Sequence, residues 1–152
     1  MMKRFILSIF FLLFSQCTLF ATTPYNLEGI KALNVLVLDQ SETISAKARE
    51  RLLADLKSKL EKNGIVSKKD GVGAMFVKIT STKIGSTTVA YINLGIGEEA
   101  EIIRLQNVKS FALTYSFDDM VESENIEAEV YDSVMNFLTE EFLEQYHEDN
   151  EE

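Results

Sequence analysis

Residues 74–97 read AMFVKITSTKIGSTTVAYINLGIG. Met75, Val77 and Ile79 alternate with Phe76, Lys78 and Thr80, the period of two that sends alternate side chains to opposite faces of a strand. Gly85-Ser86 interrupts the run, and a glycine leading a two-residue loop is a hairpin signal. Residues 87–96 read as the returning strand, with Gly95 and Gly97 marking a bulge or turn at its end. A hairpin of residues 74–84 and 87–96 is the frame on which the rest of the chain is placed.

Upstream lies a helical pattern. Ile44, Ala48, Leu52, Leu56 and Leu60 recur every four residues, with Leu53 beside them, and predict a helix from Ser41 or Thr43 to Asn63. Asn63-Gly64 supplies its left-handed end, and Ile65 stands where a Schellman motif packs it on Leu60. Before the helix, residues 30–38 carry Leu33, Val35, Leu36, Val37 and Leu38 on both faces, the pattern of a largely buried strand. Asp39, between strand and helix, reads as a capping or turn residue. The loop at residues 68–73 contains Gly71-Val72-Gly73 without a following helix or Lys-Ser/Thr, a weak phosphate-loop signal, and no nucleotide is expected there.

Downstream, Phe111, Leu113, Tyr115 and Phe117 alternate with Ala112, Thr114 and Ser116, predicting a strand over 109–117 whose aromatic stripe faces the core. Residues 102–105 extend one of the strands or form a short one. Ile126, Val130, Val134, Leu138, Phe142 and Tyr146 form the buried row of a last helix, residues 123–146. Glu140, Glu141, Glu144 and Glu148 lie toward its negative end, so the tail beyond His147 is expected to fray.

The pattern is an α+β fold of order β-α-β-β-β-α, a mainly antiparallel sheet with two helices packed on one face. It forms a single domain over residues 30–147, after a leader at 22–29 that contains Pro24 and before an acidic tail at 148–152.

The start of the chain gives an address. Lys3 and Arg4 precede an apolar run over residues 5–14 broken only by Ser8, and Leu19 and Ala21 approximate a small-x-small cleavage site, so residues 1–21 read as a secretory signal peptide. The expected location is periplasmic or secreted. Membrane anchoring through a lipid on Cys17 or through a retained leader are the alternatives; Gln16 before Cys17 and the 17-residue length of the segment weigh against them. Cys17 is the only cysteine, so cleavage leaves no thiol for catalysis or a disulfide. No Asn-x-Ser/Thr sequon occurs, which suits a bacterial periplasm.

Charge divides the chain. Residues 22–109 carry 13 Lys or Arg against 10 Asp or Glu, whereas residues 110–152 carry 14 acidic residues and no Lys or Arg. Phosphate repulsion from the acidic part disfavours nucleic acid. That part is either a solvated helix face or a docking surface for a basic partner or a neighbouring copy.

Catalytic constellations are not found in the sequence. His147 is the only histidine, so neither a His-centred triad nor a His/Cys metal site can be assembled. The Glu98-Glu99-Glu101 and Glu148-Asp149-Glu151-Glu152 clusters lack calcium-loop spacing and read as solvated. No cofactor and no enzymatic activity are expected.

The run Val35-Leu36-Val37-Leu38, the helix closing at Asn63-Gly64-Ile65, the strand Phe76-Val77-Lys78-Ile79-Thr80 and the closing amphipathic helix resemble the layout of small bacterial envelope assembly proteins. These are the lipopolysaccharide-assembly lipoprotein type and the related amino-terminal domains of the Tol and curli secretion systems. The resemblance implies a periplasmic assembly role; it carries over no residue role, and the chain departs from many such proteins in lacking a good lipidation site at Cys17.

Two functions are therefore expected. The first is a non-enzymatic binding or envelope-assembly protein whose helix residues Glu140, Glu141 and Glu144 dock an envelope protein with a basic surface, or mediate self-association. The second is a small-ligand carrier, for a lipid or peptide, using Phe76, Thr80 and Tyr91 on the sheet face opposite the helices.

Overall fold

The computed structural model describes residues 26–69, 73–105 and 108–151. The expected export segment, residues 1–21, lies outside them. Among the described residues the strands are β1 (Ala32–Asp39), β2 (Val66–Ser67), β3 (Gly73–Ile84), β4 (Thr87–Glu101) and β5 (Lys109–Ser123). Helix α1 (Ala46–Lys62) links β1 to β2. The chain closes with α2 (Ile126–Asp132), a π-helical turn (Ser133–Leu138) and α3 (Thr139–Asn150) in direct succession.

The α+β class and the packing of the helices against one sheet face hold. The sheet itself is mixed rather than mainly antiparallel: its order is β2-β1-β3-β4-β5, with β1 parallel to both β2 and β3, and β3, β4 and β5 antiparallel. Parallel neighbours need a long crossover, and α1 supplies it between β1 and β3. Strand β2 is two residues long, too short for any periodicity to reveal.

Local chemistry explains the boundaries. Ile84 faces Thr87 across Gly85-Ser86, and Gly85 has φ of 63°, which glycine adopts without a Cβ clash. Helix α1 begins later than expected because Asp39 accepts from Ser41 N at 3.2 Å and Ile44 N at 2.9 Å, holding the preceding residues in a turn. Ser45 then caps the helix by accepting from Ala48 N at 3.2 Å. At its other end Ile65 N donates to Leu60 O and Gly64 N to Glu61 O, with Gly64 at φ 85°. This is the Schellman motif the sequence calls for, and both Leu60 and Ile65 are fully buried.

One core lies between sheet and helices. Leu33, Val35, Met75, Val77, Ile79, Ile92, Leu94 and Ile96 meet Leu52, Leu56, Leu60, Val130, Val134, Leu138 and Phe142 there. Strand β1 is buried on this face only; Leu36 and Leu38 point the other way and are exposed, so it is not the doubly buried strand its composition suggested.

Strand β5 corrects a second expectation. Ile96 pairs with Tyr115 but Gly97 pairs with Leu113, so Thr114 is an extra residue on β5. A β-bulge of this kind moves every side chain beyond it to the opposite face. Tyr115 and Phe117 consequently pack on the core, while Phe111 and Leu113 lie exposed on the other side. The displaced Thr114 is tied down: its hydroxyl donates to Glu98 at 2.8 Å and its carbonyl accepts from Asn26 Nδ2 at 2.6 Å.

The closing helix runs past its expected end. A strict four-residue row drifts by about 40° per step around an α-helix, and the wider π turn offsets part of that drift midway. Thr139 N donates to Val134 O, the five-residue bond that defines the turn. Beyond His147 the helix is held rather than frayed. Buried Asp149 accepts from Leu27 N at 3.0 Å, Asn150 bridges Gly29 N and Leu27 O, and Tyr146 donates to Ile30 O. With Leu27 fully buried, the folded unit extends beyond residues 30–147 on both sides.

Candidate docking surface

The face of the sheet turned away from the helices carries no covering element among the described residues. Its rows follow from the register. Leu36, Phe76, Gly95 and Ser116 form one row, Leu38, Lys78, Asn93 and Asp118 the next, and Thr80, Tyr91 and Met120 a third. Phe76, Thr80 and Tyr91, singled out from sequence, thus share this face, with Thr80 directly beside Tyr91.

The bulge adds what the sequence pattern concealed. Leu36, Leu38, Tyr91, Phe111, Leu113 and Met120 are 39% to 67% exposed, and with half-buried Phe76 they put apolar side chains on four strands of this face, on both sides of the polar Lys78-Asn93-Asp118 row. Phe76 and Phe111 are seated on bare backbone. A Cβ on Gly97 would stand 1.9 Å from Phe111 Cζ, and one on Gly95 would stand 2.6 Å from Phe76 Cζ and 3.1 Å from Leu113 Cδ1. Both rings therefore lie down on β4 only because those two positions have no side chain. The Gly-x-Gly spacing inside a strand was the available signal. It marked a bulge, but the consequence for Phe111 and Leu113 required the register.

The acidic helix residues are placed differently from one another. Glu140 pairs with Lys59 of α1 at 2.7 Å, and the same ammonium donates to Met135 O. Glu141 lies near Tyr115, whose phenol is pushed up to about 12, first by burial and then by that carboxylate. Glu144 is exposed. The three do not form one free acidic patch, because Glu140 is already paired with Lys59 within the chain.

Other polar residues have structural work. Glu99 pairs with Lys109 at 2.6 Å, raising the lysine pKa through the hydrogen bond and then the charge. His147 Nε2 lies 3.1 Å from Asn63 Oδ1, joining the end of α3 to the end of α1. Between α1 and α2 runs an open groove of about 540 Å³ lined by Ile44, Ala48, Leu52 and Tyr131. Two of its polar groups are engaged with a neighbour: Tyr131 donates to Asp55 at 2.8 Å, and Arg51 pairs with Asp55 and sits 4.8 Å above the Tyr131 ring. Among the described residues no three His, Cys, Asp or Glu side chains converge where a metal ion could be held.

No family model matches the chain, and no curated protein matches it.

Proposed function

We propose that this chain is a non-enzymatic, exported binding protein of the periplasm or cell envelope that docks a protein partner through the open face of its sheet. The observation that carries this reading is the glycine floor. Glycine in a strand interior costs roughly 0.5–1 kcal/mol against alanine, yet β4 places two of them under aromatic rings on the face that the fold leaves uncovered. Exposed aromatic and aliphatic groups held in place before binding are what the centre of an interface needs. Met120 adds an adaptable side chain beside them.

We put docking on the sheet rather than on the acidic helix, where Glu140 already has its counter-ion. It also favours a protein over a small ligand. Small-molecule sites are concave and enclose most of their ligand, whereas Phe76, Thr80 and Tyr91 belong to a broad open face. The resemblance of the sequence pattern to envelope assembly proteins is in keeping with this reading, and a likeness of layout does not by itself carry a function.

The test is site-specific photo-cross-linking in the intact envelope. A photoreactive residue at Leu113 should give a discrete protein adduct, and the same residue at Glu144 should not. Adducts from Glu144 alone would overturn the reading and return docking to the acidic helix.

A further inference from the structure

We infer that the occupant of the open face is a second copy of this chain, related by a two-fold axis lying along β4 between two facing sheets. The inference rests on the reading of that face as a docking surface, and it is carried by charge. Lys78 on β3 and Asp118 on β5 flank Asn93 of β4 in a single row. Both are exposed, and neither makes an ion pair with a described residue. Rotation about β4 exchanges the two sides of the row, so Lys78 of each copy faces Asp118 of the other. Two salt bridges form from one motif, the self-complementarity that a two-fold interface requires. Tyr91, on the axis, meets its own symmetry mate, and offset stacking suits such a pair.

The size is sufficient for a reversible dimer. Three overlapping strands about 4.8 Å apart, over roughly ten residues of about 3.3 Å rise, cover about 480 Å² per copy. The pair then buries about 1,000 Å², the lower bound of a specific interface. Leu36 and Leu38 of β1 overhang the edge of the second copy's β5 and extend the contact.

Edge-to-edge pairing is the competing geometry, and the chain opposes it. Antiparallel pairing of β5 with itself about Met120 would set Asp118 of each copy opposite Glu122 of the other, and the bulge at Thr114 bends the ladder. Like charges and bulges are the devices by which sheet edges avoid one another.

Sedimentation of the purified protein over a concentration series tests this directly. Wild type should pass from monomer to dimer. Lys78→Asp alone and Asp118→Lys alone each set like charges face to face in both pairs, and each should weaken dimerisation about tenfold or more. An equimolar mixture of the two variants should restore association, since in the mixed dimer every reversed charge meets its opposite. Intrachain effects cannot produce that rescue, and neither can a misfolded variant.

A chain that remains monomeric up to several hundred micromolar, or a mixture that associates no better than its components, would overturn the inference. If wild type is monomeric while Leu113 still captures a different protein, docking by this face stands and the second copy does not. If Leu113 yields no adduct of any mass, the docking reading itself fails.

Discussion

Replacing Gly97 by alanine separates the role of the sheet face from that of the core. The new methyl would lie 1.9 Å from Phe111 Cζ and 2.3 Å from Cε1, so the ring must swing off β4. Gly97 does not have a positive φ, and the backbone accepts alanine without strain. Loss of glycine freedom in the unfolded chain should stabilise by about 0.4–1 kcal/mol. Against this stands the lost packing of a ring that is 66% exposed, worth a fraction of the roughly 1.5–3 kcal/mol of a fully buried side chain. The two terms nearly cancel, and urea denaturation should find stability within about 1 kcal/mol of wild type. Cross-linking from Leu113 should nevertheless fall sharply, because the displaced ring disrupts the docking face. A stability loss above about 3 kcal/mol would refute the reasoning by making Phe111 part of the core. Undiminished cross-linking would refute it by removing Phe111 from the surface.

Three further outcomes follow from the geometry. Leu56→Ala, at a fully buried position under the sheet, should cost about 2–5 kcal/mol in the same denaturation measurement. Asp149→Ala leaves the buried Leu27 N–H without its acceptor and should cost about 1–3 kcal/mol, with hydrogen exchange accelerating first at residues 27–30. The Tyr115 phenol is held at about 12, above its ordinary 10.0, so the unfolded chain loses this proton first. Stability is then intact below pH 10 and declines as pH rises from about 10 to about 12, and Tyr115→Phe should remove that part of the decline in alkaline melting curves.

Where a single local rule governed an element, the sequence was legible. The Gly85-Ser86 hairpin and the Asn63-Gly64-Ile65 helix end form as their residues dictate, and Asp39 makes the turn it was assigned. Failures arose where two distant segments decided the outcome. The alternation of residues 111–117 is unbroken in sequence, and only pairing with Ile96 and Gly97 reveals that Thr114 is the extra residue. Leu36 and Leu38 resemble core by composition and are exposed because both helices cover the opposite face. The acidic end of the last helix looked unstable by its dipole, but Leu27 and Gly29 satisfy Asp149 and Asn150 from more than a hundred residues away. Of the two predicted sites, the sheet trio came together on one face, while the glutamate trio lost Glu140 to Lys59. Periodicity reports a face and carries no information about what occupies it.

The bond from Leu27 to Asp149 spans 122 residues, and it orders events in time. A chain delivered from its first residue onward presents Leu27 and Ile30 long before Tyr146, Asp149 and Asn150 exist to cover them. Contacts of such high sequence separation form late, because the entropy of closing the loop is lost before any contact is gained. The final turn of helix is therefore the step that seals the domain.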